Sequence, residues 1–277
     1  MALPLRDGVK LEGAIQTLRQ CGGWVGSLAR GGSGDDVESF RHRYLQELDR
    51  VEGQLRNLFA DPAVWTHLRG DRHRVICAMS TSNPTLARLI TEEAEDQKRY
   101  FEQVTDRLER FVKRLGDTQG GLVVLDTNVL LHYQPPWQVD WTAVLGSAGP
   151  VRLVLPLRVI EELDERKYRD REKIAQRARD LLSELWKVLS PSKGGPAPLG
   201  GKPGITVEVF LDDEPRRHTL DADAEILEEC RTLKAVGCPV SLVTADTGLS
   251  IRASALGIAV VPMPDKYLRN KPAPPRN

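Results

Sequence analysis

Four acid-bearing stretches crowd the second half of the chain: LVVLDTN with Asp126, VIEELDE with Glu161 and Glu162, DADAEIL with Asp221 and Asp223, and LVTADTG with Asp246. In GLVVLDTNVLLHY a run of strand-forming apolar residues ends in an aspartate followed at once by Thr127 and Asn128. A buried strand has no packing use for a carboxylate at its tip, because a desolvated charge needs a partner. Several acids brought to one place repel one another, and such a cluster persists only if protons are taken up or a cation neutralises it. Oxygen donors without cysteine or histidine select hard ions such as Mg2+ or Mn2+. The chemistry this points to is metal-assisted, with a bound ion lowering the pKa of its water.

Other reactive residues offer weaker alternatives. His67 and His73 are six apart and fall on opposite sides of a helix, while His132 and His218 stand alone. In GGPAPLGGKPG the position five before Gly201 is Pro196, and Pro203 follows Lys202, so the stretch is no phosphate loop. Cys21, Cys77, Cys230 and Cys238 contain no CxxC pair, so they read as reduced thiols rather than a disulfide or zinc scaffold.

What positions the acids is an alternation of short Val/Ile/Leu runs with helical stretches. LVVLD, VRLVLPL, ITVEVF, VSLVTAD and IAVVPM predict a mostly parallel sheet covered on both faces. In such a sheet ligands bind beyond the carboxyl ends of the strands. Asp126 and Asp246 end strands there, and Glu162 and Asp223 sit on helices that begin at that edge. Taken singly each has an ordinary use: Asp126 and Asp223 can cap helices, and Glu161, Glu162 and Asp164 can form a solvated face. Their joint arrival at one edge is what argues for a pocket. SPSKGGPAPLGGKPG, residues 190–204, reads as a flexible surface excursion.

The first half, to about Gly116, is helical throughout. Asn83 and Pro84 open its longest helix, in which Phe101, Val104, Leu108, Phe111 and Leu115 form one apolar stripe. The expected organisation is an all-α domain over 1–118, an α/β domain over 119–267 and a disordered tail over 268–277. Lys+Arg and Asp+Glu both number 39, with a pI near 7.0, so any polyanion must be held by a local patch rather than an overall field. No apolar run approaches the roughly 20 residues of a membrane span, and the N-terminus lacks the features of a targeting peptide. The expected location is the cytoplasm.

LDTNVLL, VIEELDE, DADAEIL and LVTADTGLSIRASALGI, in that order, resemble the PIN domain, a family of metal-dependent nucleases that includes toxin ribonucleases and RNA-decay endonucleases. The likeness covers roughly Gly121 to Tyr267. It implies a three-layer α/β/α fold, with Asp126, Glu162, Asp223 and Asp246 as the catalytic and metal-holding quartet and Asn128 and Thr244 as accompanying polar residues. It also implies endonucleolytic cleavage of single-stranded RNA with Mg2+ or Mn2+, leaving 5'-phosphate ends. Two departures from the family pattern are Ala245, where some relatives carry an acid, and the 190–204 excursion together with the helical half, which minimal members lack. That half is similar to extensions on other bacterial PIN proteins and is a candidate surface for a protein partner.

Backbone phosphates must be guided past the acids. Arg166, Lys167, Arg169 and Lys173 are the leading candidates, with Arg158, Arg171, Arg216, Arg217 and Arg252 as others. The same run could instead be an exposed helix face laced with ion pairs. An aspartyl-phosphate phosphatase is disfavoured because Asn128 stands where its second acid is needed. A catalytically silent scaffold binding RNA or a protein is the alternative from another class, and its sign would be a lost acid; none is lost.

Overall fold

The computed structural model describes residues 5–6, 8–30, 36–116, 120–146, 149–201, 204–210 and 221–269. The chain divides into two compact units, residues 2–115 and residues 116–277.

The first unit is built from helices α1 (Leu11–Arg30), α2 (Val37–Leu58), α3 (Ala63–Thr66), α4 (Asp71–Ala78) and α5 (Leu86–Gly116). Leu11, Ile15, Leu18 and Val25 of α1 and Phe40, Tyr44, Leu48, Val51 and Leu55 of α2 recur at spacings of three, four or seven and are buried, which is what lets each helix hide one face. The Asp36 carboxylate caps α2 by accepting the amides of Glu38 and Ser39. At Gly22 a Cβ would lie 3.3 Å from that of Phe101, a close approach of α1 to α5. The stripe on α5 is as expected at Phe101, Val104, Leu108 and Leu115, which are buried, while Phe111 is only half-buried. The start of α5 differs from expectation. Asn83 accepts the amide and hydroxyl of Thr85, closing a turn of its own, and the helix begins beyond Pro84 at Leu86. His67 stacks on Tyr100 and His73 is buried against the Tyr44 hydroxyl, so each histidine has a structural use.

The second unit contains β1 (Gly121–Leu125), α6 (Thr127–His132), α7 (Trp141–Leu145), β2 (Val151–Pro156), α8 (Leu157–Arg169), α9 (Glu172–Leu189), β3 (Ala197–Pro198), β4 (Ile205–Phe210), α10 (Ala222–Ala235), β5 (Val240–Thr244), α11 (Thr247–Ala255) and β6 (Ala259–Pro262). The sheet order is β3-β4-β2-β1-β5-β6, parallel except for the β3–β4 pair. From β1 the chain steps outward to β2 and β4, then crosses back to β5 on the other side of β1 and ends at β6. Right-handed crossovers then place α8 and α9 on one face and α10 and α11 on the other, giving three layers. The reversal makes the β1–β5 boundary a topological switch point, where loops leave in opposite directions and open a crevice. Leu122, Val124, Leu125, Val154, Leu242 and Val243 are fully buried, as strands covered on both faces must be.

Residues 190–201 carry more regular structure than their Pro and Gly content suggested. Ala197 and Pro198 pair with Val207 and Thr206, and Ala197 and Leu199 are buried. The two-residue strand covers the outer edge of β4, which would otherwise offer unpaired backbone groups. Left-handed backbone at Gly194 and Gly200 makes the turns on either side. Of the tail, Leu268 bridges Tyr133, and residues 270–277 lie outside the described ones, as do Arg216, Arg217 and His218.

Candidate active site

β1 delivers Asp126 to the switch point. Its backbone leads into α6 as a cap would, and its carboxylate, 3 % exposed, lies against the Asn128 amide of the helix's first turn, so a capping contact and burial coexist at this acid. Thr244, at the end of neighbouring β5, donates its hydroxyl to Oδ2 of Asp126 at 2.8 Å. The same hydroxyl accepts the Asp246 amide at 2.9 Å. Burial pushes the Asp126 carboxyl above the usual range. The Thr244 hydroxyl and the Asn128 amide pull it back, and the charges of Asp223 and Glu162 push it up again.

Asp223 lies on the first turn of α10, beyond Asp221, which is the residue that caps this helix by accepting the amides of Asp223 and Ala224. Burial also raises the Asp223 carboxyl; Arg252 opposes the shift, and Asp246 and Asp221 add to it. Asp126 feels the charges of Asp223 and Glu162, and Asp223 feels that of Asp246, so the acids are linked electrostatically.

Three of the four are also engaged locally. Glu162 accepts the Thr127 hydroxyl at 2.5 Å. Asp223 is ion-paired with Arg252, which also holds Asp221 at 2.9 Å. Asp246 caps α11 through the Leu249 amide at 2.9 Å, the ordinary use of an acid that stands before a helix. Among the described residues no group of three or more His, Cys, Asp or Glu side chains is drawn close enough to hold a metal ion. The donor set fits a hard cation in chemistry, being all carboxylate, with Asp126 and Asp223 raised mainly by burial and further by neighbouring negative charge. What neutralises part of that charge in this structure is Arg252. The sequence offered Arg252 as a phosphate guide; in this structure it is ion-paired with Asp221 and Asp223. Thr127, which orients Glu162, was not singled out; only its position directly after Asp126 hinted at a role.

The basic run behaves differently from one continuous helix face. α8 ends at Arg169, Asp170 is its cap, and α9 begins after Arg171, so Arg166, Lys167 and Arg169 lie on one helix and Lys173 on the next. Arg166 pairs with Asp170, Lys167 with Asp164, Arg169 with Glu165 and Arg158 with Glu161, all at the three- or four-residue spacing of helix-surface pairs.

Residues 123–263, just over half of the chain, match the family model of the PIN domain. The chain belongs to the PIN domain family. This is a nuclease-type fold, and its sheet order places Asp126 and Asp246 on either side of the switch point. Among solved structures, a domain of a functionally unknown protein from Methanocaldococcus jannaschii DSM 2661 is similar at 19% identity and a TM-score of 0.33, covering 55% of this chain and 96% of that one. The comparison with curated proteins gives no match. No helix among the described residues of this PIN protein is long and apolar enough to cross a membrane.

Proposed function

We propose that the protein is a divalent-metal-dependent endoribonuclease that hydrolyses single-stranded RNA and leaves 5'-phosphate and 3'-hydroxyl ends. One observation carries this reading: a nearly fully buried Asp126 at the switch point, its carboxyl raised by burial and by the facing charges of Asp223 and Glu162. Asp126, Asp223 and Asp246 are the residues that would hold Mg2+ or Mn2+. When bound, such an ion supplies a counter-charge for the carboxylates and Lewis acidity toward the phosphodiester.

The remaining roles belong to the chain's own groups. Thr244 and the Asn128 amide hold the Asp126 carboxylate in one orientation. Glu162, aimed by Thr127, is the general base and accepts the proton of the attacking water. Arg252 balances Asp223 and Asp221 until a cation arrives. Exposed Arg169 and Lys173 contact substrate phosphates as they approach. The preference for RNA rests on the likeness of the four motifs to the family's ribonucleases.

End-labelled single-stranded RNA and DNA of the same sequence, incubated with Mn2+ and with chelator, test the proposal. Cleavage of the RNA by the wild-type chain in Mn2+, its loss in Asp126→Asn, and products that accept ligation through a 5'-phosphate are expected. Products ending in 2',3'-cyclic phosphate that persist in chelator would overturn it.

A further inference from the structure

At the end of α6 remote from Asp126 the same domain carries a second concave site. A cavity of about 610 Å³ lies between the segment after α6, helix α9 and the last described residues, and Gln134, Trp137, Arg177, Asp180, Glu184 and Arg269 are among its lining. That volume falls within the roughly 300–1,000 Å³ of small-ligand sites.

Both arginines are fixed there by backbone contacts. Arg177 donates from Nη1 to the Leu131 carbonyl at 3.2 Å, near the C-terminal end of α6. Arg269 arrives from the far end of the domain: its amide donates to the His132 carbonyl at 3.0 Å, and Leu268 bridges Tyr133. Arg269 is pushed below its usual range by burial and by Arg177, against Asp180. His132 is pushed down by burial and by Arg177 and Arg166, against Asp170. Asp180, whose charge acts on Arg269, also accepts the Gln176 side-chain amide at 2.7 Å, and Glu184 pairs with Lys187 at 2.5 Å. Two guanidiniums lining one cavity suit a phosphate, and the half-buried Trp137 offers a ring on which a base can stack.

We propose that this cavity binds one nucleotide of the substrate strand, its phosphate against Arg177 and Arg269 and its base against Trp137. The identity of the ligand as a nucleic-acid strand rests on the nuclease reading above. The six residues of α6 rise about 9 Å, so the cavity sits two or three stacked nucleotides, at about 3.4 Å each, from the acids.

The test is binding of a short fluorescein-labelled single-stranded RNA to the full chain carrying Asp126→Asn, followed by anisotropy over a range of salt. Arg269→Ala is the decisive variant, since the backbone of Arg269 makes the contacts with α6, whereas Arg177→Ala also removes a bond to the helix end. Arg269→Ala is expected to flatten the dependence of log K on log[salt] by about 0.7. Trp137→Ala is expected to weaken binding roughly tenfold with the slope unchanged. AMP and inorganic phosphate should compete only at concentrations far above that of the RNA. Wild-type slope and affinity in both variants, no RNA binding at all, or AMP binding as tightly as the strand would each overturn the assignment. RNA binding that depends on Arg269 and Trp137 in a chain that cleaves nothing with Mn2+ would support the cavity and overturn the nuclease reading. Cleavage with binding indifferent to both substitutions would do the reverse.

Discussion

The Thr244 hydroxyl joins the acids at the ends of two neighbouring parallel strands, donating to Asp126 at 2.8 Å and accepting the Asp246 amide at 2.9 Å. Two acids about 120 residues apart in sequence are thereby set by one short side chain. Thr244→Val keeps the shape and removes both bonds. A buried acceptor stripped of its donor costs about 1–3 kcal/mol, so urea unfolding at neutral pH should show a loss of that order, with Thr244→Ser close to wild type. The sign with pH follows from the donor's effect. Its loss raises the folded-state Asp126 carboxyl further, so the added loss appears as pH rises through the titration of Asp126. Below the ordinary aspartate value of about 3.9, where Asp126 is protonated folded or unfolded, that charge-dependent part vanishes.

Arg252 sits where a cation's charge would act, paired with Asp221 and Asp223. Arg252→Gln should make the chelated protein slightly less stable at neutral pH, because Asp223, already raised by burial and by Asp246, loses its opposing charge. Calorimetric titration should show tighter Mn2+ binding in the variant, since the guanidinium no longer competes. Weaker binding would instead make Arg252 a brace of the site.

How much of this was legible in sequence depended on the range of each interaction. The five main strands, their shared carboxyl edge and the acids at that edge follow from local runs of Val, Ile and Leu and from the rule that parallel strands share an edge. That Asp126 is buried and Asp246 only half-buried could not be told from sequence, because both stand before a helix with the same local pattern. The Thr127–Glu162 and Arg252–Asp223 contacts join residues about 30 apart on different helices, and no periodicity reports them. The edge strand at Ala197 was hidden by its Pro and Gly neighbours, since what orders it is the open edge of β4. The α8–α9 break at Asp170 was missed because charged residues run across it without a Gly or Pro.

The ion pairs on α8 bear on the phosphate-contact prediction. Arg169 and its partner Glu165 are both well exposed, and such pairs are weak enough to exchange for a phosphate. Arg169→Ala with Lys173→Ala should lower the salt slope of RNA binding by about 0.7 to 1.4, near 0.7 per lost single-strand contact. An unchanged slope would leave this run as a solvated helix face.

The central claim is that the acids at the switch point act as one site short of positive charge, and Asp126 is where it is tested most directly. Its folded-state carboxyl is raised, so the metal-free protein is most stable with Asp126 protonated and loses stability as pH climbs through that raised value. Asp126→Asn removes the charge and keeps the shape. Thermal melts of wild type and Asp126→Asn, each in chelator and in millimolar Mn2+ at neutral pH, should show the chelated variant melting above chelated wild type and gaining less from Mn2+. A variant that melts lower in chelator and keeps the full Mn2+ gain would contradict it.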